Sequence, residues 1–280
     1  MSLQIPVLEA VVRIVREAGA IVMSVYEGPI DVRRKEDASP VTEADERAEA
    51  LIVPALRALA PGIPVVAEEM AARGQADAIG RSFWLVDPLD GTKEFIGRNG
   101  EFTVNVALID EGRPVLGVVG APALGRLFAG VVGQGAWVED GGVRRAIGVR
   151  AVPDEGLTVV ASRSHGDAAA LDAFLAGRRV ARLAQAGSSL KLCLLAAGEA
   201  DLYPRLGRTM EWDIAAGHAV LAAAGGQVCT LDGQPLVYGK PGFENPHFVA
   251  RGGAVAAGGR AAGPRCRAPR RIRAAAAGGS

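Results

Sequence analysis

The run WLVDPLDGT at residues 84–92 has the clearest chemical meaning in this sequence, because an apolar strand here delivers Asp87 and Asp90 into a tight turn. Its proline fixes φ and removes a hydrogen-bond donor, and Gly91 permits close backbone approach. The turn can therefore present two carboxylates and the Leu89 carbonyl as rigid oxygen ligands, which magnesium prefers. The following residues predict a helical turn, whose free N–H groups would face an anion beside the metal.

Two further acidic clusters stand where predicted elements begin or end. Glu68 and Glu69 end an apolar strand, and Asp213 lies in the first turn of an apolar helix. Taken singly, each acid has an ordinary structural role as a strand exit, a helix cap or a turn residue. Carboxylates at three element ends, where neighbouring loops meet, together favour a shared metal and phosphate site.

Helical periodicity predicts two amphipathic helices at the start of the chain. The first covers residues 7–25 and ends at Gly28. The second begins after Thr42, which can cap it, with Asp45 three positions on as in a capping box, and it ends before Pro61. Because each helix has one apolar side, the pair can cover one face of a sheet.

The pattern after these helices predicts a sheet and then a second α/β unit. Two short buried strands, IPVVAEE and FWLV, precede the turn, and FTVNVALID, PVLGVVGAP, LFAGVVG and AWVED form an antiparallel meander. After about Val152 the chain alternates strand and helix. We therefore expect a layered N-terminal α+β subdomain over residues 1–151, which carries the metal-binding motifs, and a C-terminal α/β subdomain over 152–250, which carries the substrate loops. A cleft between them would hold the ligand.

Composition favours a folded body followed by a separate tail. The 280 residues are 49% hydrophobic and 22% charged, near the average for globular proteins. The net charge is zero, but residues 251–280 hold seven arginines and no acid, so that 24 basic and 31 acidic residues precede them. This tail has almost no large apolar residue to offset the cost of ordering. We expect a disordered or non-native end, with a basic arm for nucleic acid or an acidic partner as the alternative.

Targeting signals are sparse. No apolar run reaches the roughly eighteen residues of a membrane span, and charges in the first helix argue against a signal peptide. Cys193, Cys229 and Cys266 are widely spaced and odd in number, which indicates neither a disulfide framework nor a zinc site. We expect a cytoplasmic protein. Peripheral attachment to the inner membrane and assembly as a homodimer are left open.

Several motifs together resemble the inositol monophosphatase superfamily of metal-dependent, lithium-sensitive phosphatases. They are VTEAD at 41–45, AEE at 67–69, WLVDPLDGT and WD at 212–213. Within it, TKEFI at 92–96, NGEF at 99–102, GSSLK at 187–191, ADLYPR at 200–205 and EWDIAAG at 211–217 resemble the bacterial 3'(2'),5'-bisphosphate nucleotidases. An inositol phosphatase would usually carry Thr-Asn-Phe after the DGT turn, where this chain has Lys93-Glu94-Phe95.

This resemblance, over residues 5–250, implies an α+β fold of the layered α/β/α/β/α sugar-phosphatase type (inositol monophosphatase-like), with two or three Mg²⁺ ions. Two metals about 3.5–4 Å apart can stabilise both the attacking and the leaving oxygen of an in-line displacement. The implied ligands are Glu68, Asp87 and the Leu89 carbonyl for one ion, and Asp87, Asp90 and Asp213 for a second.

The resemblance also assigns catalytic roles. Glu68 and the Thr92 hydroxyl, with Asp45 close by, would orient and activate the attacking water. For Asp45 the alternative is a structural role at the start of its helix.

Substrate contacts are expected from both halves of the chain. A phosphate monoester repels a nucleophile until cations and N–H donors neutralise it. A second phosphate would suit hydroxyls, backbone donors and cations at strand ends in the second half, although Ser188 could simply cap its helix. His218, inside an apolar helix, is expected in the core. The expected substrate-binding residues are Asp90, Gly91, Thr92, His165, Gly187, Ser188, Lys191, Arg205 and Asp213.

The resemblance therefore implies a magnesium-dependent phosphatase that removes the 3'-phosphate of 3'-phosphoadenosine 5'-phosphate, giving AMP and phosphate, in the setting of sulfate assimilation. No nucleic-acid partner is expected. Hydrolysis of inositol-1-phosphate or fructose-1,6-bisphosphate is the alternative within this class. A regulatory member of the fold that binds RNA or protein is the alternative outside it and predicts a degraded metal set, whereas all the motif acids are present.

Overall fold

The computed structural model describes residues 5–29, 32–34, 40–162 and 168–253. The helices in these ranges are α1 (Ile5–Tyr26), α2 (Glu43–Leu59), α3 (Glu68–Ala72), α4 (Thr92–Ile96), α5 (Ala168–Leu175), α6 (Leu190–Ala196) and α7 (Glu211–Ala223). Two short 3₁₀ turns span Pro122–Leu124 and Pro241–Phe243.

The strands fall into three sheets. A hairpin pairs β1 (Val32–Arg34) with β2 (Pro40–Thr42). The large sheet contains β3 (Val65–Ala67), β4 (Ser82–Asp90), β5 (Thr103–Asp110), β6 (Arg113–Ala121), β7 (Arg126–Val131), β8 (Gly135–Asp140) and β9 (Val143–Ile147), in that order. The smaller sheet has the order β11-β10-β12-β14-β13 and contains β10 (Leu157–Ser162), β11 (Val180–Ala186), β12 (Leu202–Arg205), β13 (Gln227–Thr230) and β14 (Phe248–Arg251).

The large sheet packs against a core on each face. Successive residues of a strand point to opposite faces, so neighbours in β4 enter different cores. Trp84 of β4 belongs to a core shared with α1 and α2. Its neighbour Phe83 belongs to a second core shared with α6 and α7. In β6, Gly117 lets α7 approach closely, since a Cβ at this position would lie 2.3 Å from the Ala216 carbonyl oxygen. The predicted cover of one face by the first two helices is confirmed.

The smaller sheet completes the layers. Helix α7 also packs against β13, and on the other face Phe174 and Leu175 of α5 pack against a third apolar cluster that includes Leu157 and Val249. The order is therefore helices, sheet, helices, sheet, helix, and the predicted α/β/α/β/α arrangement is confirmed. Strand β14 runs antiparallel between β12 and β13, an insertion that the βαβ rhythm did not predict.

Local details agree with some expectations and correct others. The capping box of Thr42 and Asp45 at the start of α2 is present. Arg251 ends β14 and the Gly252 N–H binds the Asp201 carbonyl oxygen, so the sheet extends past the expected boundary at residue 250. The rest of the expected tail, from residue 254, lies outside the described residues.

Two of the three cysteines lie in the described ranges. Cys193 is free and buried in α6, and Cys229 is buried in β13. Cys266 lies outside the described residues. In the described ranges no helix is long and apolar enough to cross a membrane.

Candidate active site

The DPLDGT turn closes strand β4 at one edge of the large sheet. Pairing with β5 is irregular between Asp87 and Asp90, which aligns these acids with Asn105 and Thr103. The Asp87 carboxylate accepts the Leu89 N–H at 3.0 Å, so the turn holds its own acid in place.

The end of the turn depends on a glycine. Gly91 has φ 91° and lies immediately before helix α4. A Cβ here would lie 3.2 Å from the Glu101 carbonyl oxygen, so both the positive φ and the close approach favour glycine. The Thr92 hydroxyl that follows donates to the Leu89 carbonyl oxygen over a long 3.4 Å.

Glu68 reaches the same edge from the neighbouring strand. Strand β3 is parallel to β4, with Ala67 opposite Val86. The residues that follow these two in the sequence are Glu68 and Asp87. Parallel strands end at the same side of a sheet, which places the two acids side by side. Glu68 is also the first residue of α3.

Asp213 approaches from the helix layer between the sheets. It is the third residue of α7, and its carboxylate accepts the Met210 N–H at 2.8 Å across the helix start. The N-cap residue is Met210, so the expectation that Asp213 could itself be the N-cap is wrong, although its carboxylate does hold the helix start. This contact leaves the side chain beside the other acids.

One cavity of about 960 Å³ collects these groups. Every expected metal ligand lines it, together with expected substrate residues from both halves of the chain: Glu68, Asp87, Leu89, Asp90, Gly91, Thr92, Ser188, Lys191, Arg205 and Asp213. Asp45 and Gly187 are not among the lining residues, and His165 lies outside the described residues. The cavity therefore joins motifs that are far apart in sequence.

Burial and mutual repulsion make the three aspartates of this cavity harder to ionise. Burial raises the pKa of Asp87 well above its ordinary value, and the charges of Glu68, Asp90 and Asp213 raise it further. Burial and the same kind of repulsion raise the pKa of Asp213. The pKa of Asp90 rises to about 6, mainly through burial, although Lys191 and the Ser189 N–H oppose the change. A site of this kind favours a strongly positive ligand.

The donor set fits Mg²⁺ in its chemistry. Four carboxylates and a backbone carbonyl are hard oxygen donors, which Mg²⁺ selects over nitrogen or sulfur. Within the described ranges, however, no three acidic, histidine or cysteine side chains are arranged so as to ligate one ion. The acids repel one another, and both Asp87 and Asp213 are held by backbone N–H groups. The acids are gathered around the cavity without forming a closed cage.

Asp45 lies near Glu68 and Glu69 but does not line the cavity. Its carboxylate accepts the Thr42 N–H at 2.8 Å and the Thr42 hydroxyl at 2.7 Å. It is 1% exposed, and burial raises its pKa to about 7, with smaller contributions from Glu68 and Glu69. The capping contacts and the proximity to the site are both present.

The cations of the second half face the acids while bracing the backbone. Lys191 donates to the Ala186 and Ser188 carbonyl oxygens at 3.2 and 2.5 Å, and burial lowers its pKa to about 8. Arg205 donates to the carbonyl oxygens of residues 207 and 208 at 3.2 and 2.5 Å. Ser188 precedes α6 in a left-handed conformation with φ 47°, and Ser189 occupies the N-cap position without a capping hydrogen bond from its side chain.

Gly187 has a packing role. Its N–H donates to the Glu101 carboxylate at 2.8 Å, and a Cβ here would lie 2.7 Å from the Glu101 carbonyl oxygen. This contact joins the two halves of the chain beside the cavity.

Comparisons with known proteins agree with this geometry. A sequence model of the inositol monophosphatase family matches residues 4–262. The chain belongs to the inositol monophosphatase family.

Relatives within this family carry a narrower name. The 3'(2'),5'-bisphosphate nucleotidase CysQ of Shigella flexneri is 50% identical over 244 residues, which cover 86% of this chain and 98% of the relative. Its counterpart in Escherichia coli K12 is 49% identical over the same length. Among solved structures, CysQ from Bacteroides thetaiotaomicron has a TM-score of 0.73 and 38% identity, covering 88% of this chain and 96% of that one.

A family member with a different name has a similar fold. The inositol monophosphatase of Thermotoga maritima has a TM-score of 0.72 at 27% identity, covering 87% of this chain and 91% of that one. The likeness in fold is therefore shared between inositol phosphatases and nucleotidases, whereas the higher sequence identities are with CysQ proteins.

Sequence reasoning missed polar residues that support this family's motifs from inside regular elements. Glu49 of α2, 3% exposed, contacts the start of α3, and Asn105 of β5, 1% exposed, lies opposite Asp87. A charged residue on the buried side of α2, three positions before Ile52, was the available signal for Glu49. For Asn105 the signal was a single amide within an otherwise apolar strand.

Proposed function

We propose that this chain is a magnesium-dependent 3'(2'),5'-bisphosphate nucleotidase, which removes the 3'-phosphate of 3'-phosphoadenosine 5'-phosphate to give AMP and phosphate. One observation carries the proposal: acids from the ends of β3, β4 and the start of α7 face the same cavity as Lys191 and Arg205. Relatives about 50% identical over nearly their full length, which are named for this activity, support it.

Five groups would hold the metal, and we propose two or three ions. They are the carboxylates of Glu68, Asp87, Asp90 and Asp213 and the Leu89 carbonyl. When bound, Mg²⁺ would supply positive charge to the phosphate oxygens and make the attacking water more acidic.

The protein's own groups would then position and deprotonate the water. The Thr92 hydroxyl donates a hydrogen bond to the Leu89 carbonyl oxygen, so its oxygen lone pairs are available to accept a hydrogen bond from water. Glu68, at the cavity wall, is the proposed proton acceptor. Asp45 is a candidate second acceptor behind Glu68, because a carboxyl with a pKa of about 7 can exchange a proton near neutral pH.

The substrate's phosphates would be held at two places. The N–H groups of Gly91 and Thr92 are proposed to donate to the phosphate that is cleaved. Ser188, Lys191 and Arg205 are proposed to bind the second phosphate, since an ammonium has three N–H donors and a guanidinium has five, more than their carbonyl contacts use. Asp90 and Asp213 are proposed to contact the sugar, and the proposed role of His165 concerns a residue outside the described ranges.

The proposal extends to the division of the chain. We infer that residues 1–151 act as the metal-binding subdomain and residues 152–250 as the substrate subdomain. A cytoplasmic location, sulfate assimilation as the setting and a homodimeric state remain predictions.

Phosphate release from three substrates tests the proposal: 3'-phosphoadenosine 5'-phosphate, inositol-1-phosphate and fructose-1,6-bisphosphate, each with Mg²⁺, with a chelator and with added Li⁺. We expect kcat/KM for the nucleotide to exceed the other two by about tenfold or more, which corresponds to roughly 1.4 kcal/mol of transition-state discrimination. The rate should vanish with chelator and fall with Li⁺. A preference for inositol-1-phosphate would transfer the assignment to that alternative, and no turnover of any substrate would favour the regulatory alternative.

A further inference from the structure

Asn105 occupies an unusual position beside the site. It lies in β5 directly opposite Asp87 of the antiparallel neighbour β4. Side chains at directly opposite positions share one face of a sheet, with Cβ atoms about 4.5–5.5 Å apart. Because Asn105 is 1% exposed, its amide group is buried next to the acid that is proposed to touch both metals.

In the structure the oxygen end of this amide points at Ser189. The Ser189 hydroxyl donates to Asn105 Oδ1 at 2.7 Å, and the Thr103 hydroxyl lies 2.9 Å from the same serine oxygen. A serine hydroxyl has one proton, which here goes to Asn105, so Thr103 must donate to Ser189. The amide oxygen is therefore committed to Ser189.

The amide nitrogen has no such commitment. Asn105 Nδ2 is buried and has no hydrogen-bond partner within the described part of the chain. A buried N–H that goes unsatisfied is costly, and native structures keep few of them. The facing position is held by Asp87, whose carboxylate is a strong acceptor.

Ser189 links this amide to the second half of the chain. It is the residue immediately before helix α6, and its own N–H donates to the Asp90 carboxylate. The same helix carries Lys191, whose charge acts on Asp90. Asn105 therefore lies opposite Asp87 and is linked to Asp90 through Ser189.

We propose that Asn105 is a positioning residue, whose Nδ2–H group orients the Asp87 carboxylate for metal binding while Oδ1 anchors α6 through Ser189. The proposal rests on the proposed function, since it concerns the same site. A donor beside an ionised carboxylate fixes its orientation and stabilises its charge, and losing such a partner of a metal ligand typically costs 10- to 100-fold in metal affinity or activity.

Mg²⁺ binding to the full chain without substrate, measured by titration calorimetry, tests this together with kcat and KM for the nucleotide. In Asn105→Leu, which keeps the branched shape but replaces the amide oxygen and nitrogen by methyl groups, we expect the Kd for Mg²⁺ to rise about tenfold or more. We expect kcat to fall similarly at saturating Mg²⁺, with KM changed less than threefold. Thr103→Val is the matched control, because it removes a hydroxyl bound to the same serine and leaves both ends of the amide intact; its Kd should stay within threefold.

Ser189→Ala keeps the proposal testable if Asn105→Leu does not fold by circular dichroism. It releases the amide oxygen while retaining the nitrogen, so we expect a smaller rise in Kd and a fall in kcat. An Asn105→Leu protein that folds and binds Mg²⁺ like the wild type would overturn the proposal, as would a Ser189→Ala protein with unchanged Kd and kcat. Failure of the proposed function is a separate result: wild-type protein that binds Mg²⁺ but releases no phosphate from the nucleotide.

Discussion

Glu49 accepts the backbone N–H of Glu69 at 2.8 Å, so a carboxylate of α2 caps the first turn of α3. The same oxygen accepts the Met70 N–H at 3.3 Å, and the other oxygen pairs with Arg73 at 2.8 Å. Helix α3 is only five residues long and begins at Glu68. The position of that proposed ligand and base therefore depends on a residue one helix away.

Glu49→Gln tests this dependence. Glutamine keeps the size of the side chain but loses its charge, so we expect the free energy of unfolding to fall by about 1–2 kcal/mol. Because Glu68 would be held less firmly, kcat should fall by about tenfold. Urea unfolding and steady-state kinetics measure the two effects.

Glu43→Gln provides the control on the same helix. Glu43 forms an exposed pair with Arg47 at 3.2 Å, and such pairs contribute about 0–1 kcal/mol. Its kcat should match the wild type. Equal effects of the two substitutions on kcat would mean that Glu49 does not position Glu68.

Asp45→Asn separates capping from catalysis. An asparagine oxygen can still accept the Thr42 N–H, so we expect little change in the melting temperature. If Asp45 takes part in proton transfer, kcat should fall by about 100-fold or more.

Thr42→Ala should give the opposite pattern, since it removes the hydroxyl that caps α2 and leaves the carboxylate. We expect a loss of about 1 kcal/mol in stability and a nearly unchanged kcat. An Asp45→Asn protein that loses stability and keeps its activity would restrict Asp45 to the helix start.

His218 predicts an acid-sensitive fold. As expected from its apolar helix, it is buried, and its Nδ1 lies 2.8 Å from the Tyr238 hydroxyl. Burial, with a smaller effect of Arg113, lowers its pKa to about 3. Below about pH 6.5 the unfolded chain binds a proton that the folded chain does not, so stability falls as the pH falls from 6.5 towards 3.

His218→Gln removes this proton uptake while keeping a partner for the tyrosine. Relative to the variant, we expect the wild type to lose about 2 kcal/mol of unfolding free energy between pH 8 and pH 5. Urea unfolding at both pH values, in chelator, measures it. A difference that does not change with pH would show that His218 titrates normally in the folded chain.

The fold was predictable where local pattern and topology agree. Strands β5 to β8 alternate in direction and are joined by short turns, so their order in space follows their order in sequence. Strands β13 and β14 were missed because β14 crosses back between β12 and β13, a pairing that no local pattern reveals. The short strand β9 carries mostly exposed residues, so it has little apolar signal.

For the site, sequence reasoning located acids at element ends better than it located their supports. Glu68, Asp87 and Asp213 stand at ends, where a polar residue after an apolar run is conspicuous. Glu49 and Asn105 act from inside a helix and a strand, and their partners become evident only once α2 meets α3 and β5 meets α6.

Phosphate release from 3'-phosphoadenosine 5'-phosphate at increasing Mg²⁺, by wild type and Asp87→Asn, tests the central claim most directly. Asp110→Asn serves as the control, because Asp110 is an acid of the same sheet at the opposite end of β5, paired with Arg81 at its rim. We predict a saturable dependence on Mg²⁺ for wild type and control, and at least about a 1,000-fold lower rate for Asp87→Asn at saturating Mg²⁺. A rate that persists in chelator, or an Asp87→Asn protein as active as the control, would contradict the account.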